Sequence, residues 1–309
     1  MFVRHLTDGQ ELDMVLLVRE LRGGKQLRVM LSDRTGTVTA CVPEGGGVAY
    51  EHGAAVRVQG RYTVHPDRGP EIALRSVRAA RPEEVDYAAL LDGPLRDAAQ
   101  MEADLRDLVA TIQNPHLRAL LDAVLGPDSE TWHRFRDAPA AKRYHQAYRH
   151  GLLEHSLTVA QSVSSISATF PGIDRDIAVT GALLHDIGKL DAYTSDPVAI
   201  DLTDAGKLQG EIPLGYYRVR RLIEDLPAFP SDLAAAVLHI ILSHHGALEH
   251  GSPVVPCTRE ATLVHMIDNL GGRLGSFDRL EKELPDGSRW SGYDRALGGG
   301  AFFADREAA

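Results

Sequence analysis

Two cysteines, Cys41 and Cys257, are all that the 309 residues contain. That is too few for a disulfide framework and makes a reducing cytoplasm the expected compartment. Long apolar runs are missing as well. No stretch approaches the roughly 18 apolar residues that a membrane helix requires, and the opening MFVRHLTDGQ has no signal-peptide core. We therefore expect a soluble protein with no membrane partner. Nor is there a basic excess: 33 Lys and Arg against 43 Asp and Glu leave a net charge of −10. This argues against simple coating of nucleic acid by bulk attraction, though not against a local basic track. Aromatic residues are scarce, and before residue 82 only Phe2, Tyr50 and Tyr62 occur, which weakens a base-stacking role for that region.

What is present is an ordinary globular composition, long enough for two domains and a core that needs no staples. Residues 11–80 carry short alternating, β-branched runs: LDMVLLVREL, QLRVMLSD, TVTACV, AAVRVQGRYTVH and EIALRSVR. Turn signals separate them, which predicts about five strands and a small, closed or partly open barrel. The order of motifs resembles an OB-fold. Arg19, Arg22, Lys25, Arg28, Arg34, Arg61 and Arg75 could line a groove for single-stranded nucleic acid. The alternative is a barrel that only positions or oligomerises the second domain.

The run Arg81-Pro82-Glu83-Glu84-Val85-Asp86 marks a candidate boundary, with Glu83, Glu84 and Asp86 read as a solvated linker and Asp92, Asp97, Glu102, Asp104 and Asp107 as an exposed helical stretch. Beyond about residue 88 the apolar spacing becomes helical. The fold class expected is multidomain α and β, an N-terminal OB-like β-barrel followed by an all-α domain. The divisions are 1–82 for the barrel, 83–137 for a helical linker and the start of the helical domain, 138–284 for the helical domain proper, and 285–309 for a weakly ordered tail.

The histidines fall on the inward faces of those helices. In GLLEHSLTVAQSVSSISATF, His155 lies on a stripe with Leu152, Val159, Val163, Ile166 and Phe170. DIAVTGALLHDIGKL turns His185 and Asp186 inward, SDLAAAVLHIILSHHG aligns His244 with Val237, Ile240 and Ile241 just before His245, and TREATLVHMIDNL stacks Ala261 and Val264 under Asp268. A lone histidine on an apolar stripe is ordinarily a packed core residue. Four helices that each bring His or Asp inward would be costly without a counter-charge. A divalent cation accepts these donors. His239 could support the cluster from outside it, and His133, His150, His250 and His265 read as surface or packing residues.

The series His155, His185-Asp186, His244-His245 and Asp268 resembles the H…HD…HH…D order of the HD-domain phosphohydrolases. PAAKRYHQAYRHGLLEH, LLHDIGKL, LTDAGKLQGEI, HIILSHHGALEHGSP and EATLVHMIDNL, following a barrel, are similar to the YhaM-type 3′-5′ exoribonucleases along almost the whole chain. The resemblance implies that His155, His185, Asp186 and Asp268 hold one metal and His244 and His245 a second, with Asp186 bridging. Glu211 stands where the family usually has a histidine ligand, and His145-Gln146 where it has paired histidines.

Asp186 and Lys189 are the implied catalytic residues. Lys142, His145 and Lys189, together with Arg28, Arg34 and Arg61 of the barrel, are the expected substrate contacts. One or two divalent ions are implied, manganese first, with iron, nickel, cobalt, zinc or magnesium as the others. The implied reaction is hydrolysis of single-stranded RNA or DNA from the 3′ end to nucleoside 5′-monophosphates by metal-activated water. Homo-oligomer formation is left open. Two alternatives stand beside it: a phosphohydrolase acting on a free nucleotide, and a non-catalytic nucleic-acid-binding scaffold.

Overall fold

The computed structural model describes residues 1–22, 28–41, 51–65, 69–94, 96–142, 146–194, 196, 199–284 and 287–304. Lys25 and Tyr50 lie outside them. No helix among the described residues is long and apolar enough to cross a membrane. The chain divides into two compact units: Met1–Asp92 with Leu280–Gly292 and Gly300–Ala309, and Gly93–Arg279 with Tyr293–Gly299.

The first unit is a closed barrel of β1 (Glu11–Arg22), β2 (Arg28–Asp33), β3 (Gly36–Cys41), β4 (Ala55–His65) and β5 (Gly69–Ala79) in the order β1-β2-β3-β5-β4, matching the expected class. Alternation dictates it. Leu12, Met14, Leu16 and Val18 of β1 and Val56 and Val58 of β4 turn inward, while Asp13, Arg57 and Gln59 turn out. Neighbouring strands run antiparallel except β3 and β5, whose parallel ladder (Ala40 opposite Ile72) closes the barrel.

In the linker expected after residue 82, Glu83 and Asp86 are exposed, but Glu84 is pinned down. Glu84 bonds Arg57 (2.8 Å), Arg78 (2.6 Å) and Arg81 (3.0 Å) and leaves only 8% of its side chain exposed. Three guanidiniums around one carboxylate outweigh its hydration. The tail likewise is paired where it is described: Trp290 bridges to Phe302, and Asp294 to Gly299.

The second unit is helical: α1 (Tyr87–Leu90) precedes it within the first unit, then come α2 (Ala98–Ala110), α3 (Pro115–Leu125), α4 (Glu130–Asp137), α5 (Gly151–Ser167), α6 (Arg175–Leu184), α7 (Lys189–Ala192), α8 (Asp204–Gln209), α9 (Glu211–Asp225), α10 (Ser231–Ser243) and α11 (Arg259–Glu283). One apolar core joins α2–α6 with α9–α11, centred on fully buried residues such as Trp132, Phe135, Leu153, Leu157 and Ile241. The stripe on α5 ends earlier than its spacing predicts: the helix stops at Ser167, and Phe170 is exposed.

Gly181 matters to the geometry that follows. Ile240 of α10 lies so close that a β-carbon at Gly181 would meet it at 2.3 Å. Only glycine lets α6 and α10 approach this far, and both helices end on the residues that form the site.

Candidate metal centre

The His185-Asp186 pair does not lie within a helix. His185 is the C-cap of α6, Asp186 begins the turn into α7, and His244 caps α10 in the same way. Each helix therefore delivers its imidazole at an end, where carbonyls of the last turn lack intrahelical partners. His185 Nδ1 donates to the Ala182 carbonyl (2.7 Å), and His244 Nδ1 to that of Ile241 (2.8 Å). His155 Nδ1 meets Gln146 Oε1 at 3.0 Å, and His245 Nδ1 donates to the His250 carbonyl at 2.9 Å. A carbonyl can only accept, so each of these rings carries a hydrogen on Nδ1 and turns Nε2 toward the cluster.

Those Nε2 atoms converge with carboxylates. His155 Nε2 lies 3.1 Å from His185 Nε2, 3.2 Å from Asp186 Oδ2 and 3.0 Å from Asp268 Oδ1. His155, His185, Asp186 and His244 are buried. Ligand atoms of His155, His185 and Asp186, and those of His185, His244 and Asp268, lie within 4.8 Å of one another. Asp186 Oδ1 and His244 Nε2 are buried, 3.5 Å apart, and neither has a hydrogen-bond partner. Two orphaned acceptors side by side are costly. This donor set fits a divalent cation, which would satisfy both.

Beside this cluster, His245 Nε2 approaches Glu211 Oε1 to 3.6 Å, with the His244 and His245 rings 4.4 Å apart. Burial pushes the His245 imidazole below its usual range, and neighbouring His244 adds to this, which suits a neutral ligand. Glu211 is the first residue of α9. Tyr193 hydrogen-bonds it, and burial together with that carboxylate pushes the phenol up to about 12. Lys189 Nζ donates to Asp186 Oδ2 at 2.7 Å. Burial opposes the Lys189 charge, but the Asp186 and Glu211 carboxylates outweigh it and raise its pKa. Burial likewise opposes protonation of His155, yet bonds to Asp186 and Asp268 push it up to about 9. Without a cation, a proton takes that place.

The remaining expected residues are dispersed. Lys142 is engaged by Asp201 at 2.5 Å, and His145 lies outside the described residues. On the barrel, Arg28 and Arg61 share one row, running Arg28–Cys41–Ala73–Arg61 across four strands. Arg34 sits six residues from Arg28, roughly 20 Å along the strand direction, with its guanidinium over the Phe2 ring at 4.9 Å. Arg61 donates to the Gly9 carbonyl at 3.0 Å and Arg19 to Ser32 Oγ at 2.6 Å.

Several supporting residues escaped the sequence reading. Gln146 orients His155, and Tyr193 holds Glu211. Asp191 is gripped by Arg218 (2.6 Å) and Arg134 (3.0 Å), tying α7 to α9 and so Lys189 to Glu211. The short spacing of Asp191 from Lys189 in KLD was the one local signal.

A family model for the HD domain matches residues 152–272, which span the cluster from His155 to Asp268. The fold and this centre thus define an HD-domain enzyme. The 3′-5′ exoribonuclease YhaM of Geobacillus sp. (strain WCH70) is 30% identical, over 91% of this chain and 88% of that protein. Its namesake from Bacillus subtilis (strain 168) is 29% identical over 90% of both chains, and that from Bacillus licheniformis 30% identical over 90% of both. The chain belongs to the YhaM family.

Proposed function

We propose that the protein is a metal-dependent 3′-5′ exonuclease that shortens single-stranded RNA, and DNA as a secondary substrate, releasing nucleoside 5′-monophosphates. One observation carries the reading: His155, His185, Asp186, His244 and Asp268, on or at the ends of four helices, turn imidazole nitrogens and carboxylate oxygens toward one buried point, and Asp186 Oδ1 and His244 Nε2 there are unsatisfied.

In this reading His155, His185, Asp186 and Asp268 hold one cation, and His244, His245 and Glu211 a second, with Asp186 between them. Divalent ions bound there would polarise a phosphate oxygen and lower the pKa of a water molecule. Hydrolysis places that water's oxygen on phosphorus and its proton on the departing 3′-oxygen, leaving a shortened 3′-hydroxyl. Lys189 stays protonated beside Asp186 and neutralises a phosphate oxygen as charge builds in the transition state. Lys142, released from Asp201, and His145 contact the terminal nucleotide. Arg28, Arg34 and Arg61 of the barrel engage upstream phosphates of the single strand.

A second reading, hydrolysis of a free nucleotide, draws on the barrel. Much of its outward charge is already paired, with Arg57 on Asp13 (2.6 Å) and Arg75 on Glu11, and a free nucleotide needs no basic track. The manganese-loaded protein incubated with 5′-end-labelled RNA, the matching DNA and mononucleotides separates the two. Stepwise shortening from the 3′ end is expected; turnover of mononucleotides alone selects the second reading, and binding without products selects a scaffold.

A further inference from the structure

His265 reads in the sequence as a surface or packing residue, yet it touches the site's backbone. It lies on α11, three residues before Asp268, so both project from one face of that helix. Its Nδ1 is 2.7 Å from the His244 carbonyl, which forces the ring hydrogen onto Nδ1. That carbonyl belongs to the last turn of α10, where no intrahelical donor is available.

The ring also closes over the turn that follows. Gly246 has φ +81°, and a β-carbon there would come within 2.0–2.5 Å of three imidazole atoms of His265. The imidazole therefore lies directly against the Gly246 backbone. Two side chains depend on that turn. His244 Nε2 faces Asp186 Oδ1 at 3.5 Å, and His245 Nε2 faces Glu211 Oε1 at 3.6 Å. A single helix thus grips both halves of the centre, through Asp268 on His155 and through His265 on the His244–His245 turn.

We propose that His265 is a positioning residue: its Nδ1–H bond to the His244 carbonyl sets the turn that lets His244 and His245 bind the second cation. The inference rests on the two-cation reading above. Outer partners of ligating residues typically change metal affinity by about 10–100-fold when removed.

Manganese alone, titrated calorimetrically into the full-length, metal-stripped protein, tests it. His265→Leu keeps the bulk and loses the donor. His265→Asn places an amide N–H where Nδ1 stood. Wild type is expected to take up two ions. His265→Leu should keep the uptake that depends on Asp268 and lose about 10–100-fold in affinity at the other position. His265→Asn should restore it, with the thermal midpoints of the stripped variants alike. If His265→Leu fails to fold, Gly246→Ala, whose methyl would push the imidazole off the carbonyl, should show the same selective loss. Normal uptake of both ions by His265→Leu, or failure of Asn to rescue, overturns this inference alone. A wild type that takes up no second ion overturns the two-cation reading and this inference with it.

Discussion

The barrel and the helical unit treat charge in opposite ways. On the barrel, acids and guanidiniums satisfy one another: Asp13 with Arg57 at 2.6 Å, and Glu84 with Arg57, Arg78 and Arg81. In the helical unit, imidazoles and carboxylates are buried with acceptors in surplus, and Asp186 Oδ1 and His244 Nε2 have no partner. Matched surface pairs contribute little each and hold a shape. A buried surplus persists only if something outside the chain balances it, so it marks chemistry rather than stability. The lesson is that the informative charge is the unsatisfied one.

The sharpest break of this contrast is one substitution on each side. Asp186→Ala should reduce RNA shortening by ~10³-fold and reduce manganese uptake. Glu84→Ala, the most heavily bonded acid of the barrel, should leave turnover unchanged and lower the thermal midpoint instead. Turnover rates and melting curves of the two variants check this, and equal effects on turnover would erase the distinction. Next in size, Lys189→Met should lower kcat by about 10²-fold. It should also tighten manganese binding, because it removes the ammonium 2.7 Å from Asp186. Weaker binding would make Lys189 a structural partner only.

A third test uses pH. In the metal-free protein His155 is raised from 6.5 to about 9. Its stabilising contribution is therefore fully present below pH 6.5 and is lost as pH rises through about 9. Manganese uptake has the opposite sign, since the proton on His155 must leave first. Apparent affinity should rise by up to about tenfold per pH unit and level off above that pKa, as calorimetry across pH 6.5 to 9 would record. A pH-independent affinity would mean that no proton occupies the site. The smallest effect belongs to the barrel: removing Arg28 or Arg61 should flatten the salt dependence of RNA binding by about 0.7 in log–log slope each. An unchanged slope would leave these arginines without phosphate contacts.

Much of this contrast was legible in the chain itself. Period-2 alternation in LDMVLLVREL and AAVRVQGRYTVH sufficed for the strands, because one face of each is buried. The order of His155, His185-Asp186, His244 and Asp268 in the chain names the cluster, the residues whose ligand atoms lie within 4.8 Å of one another in two groups, while His245 lies beside them. The partners that tune it did not appear. Carbonyls of Ala182, Ile241 and His250 fix the ring tautomers, and a backbone oxygen leaves no trace in residue identity. Long-range pairs were equally hidden: Lys142 meets Asp201 across 59 positions, and Glu84 gathers arginines from two strands. Their charge alone suggested solvated linker and open groove. The inward stripe through Phe170 was misplaced for a related reason, since periodicity continues past the point where a helix ends.

The central claim, that this buried surplus is balanced by divalent cations which the reaction requires, is tested most directly by one measurement. The protein is stripped with chelator, the shortening of 5′-end-labelled RNA is followed, and manganese is then restored. No shortening in chelator and full recovery on restoration is the predicted result; undiminished shortening by the stripped protein would contradict it.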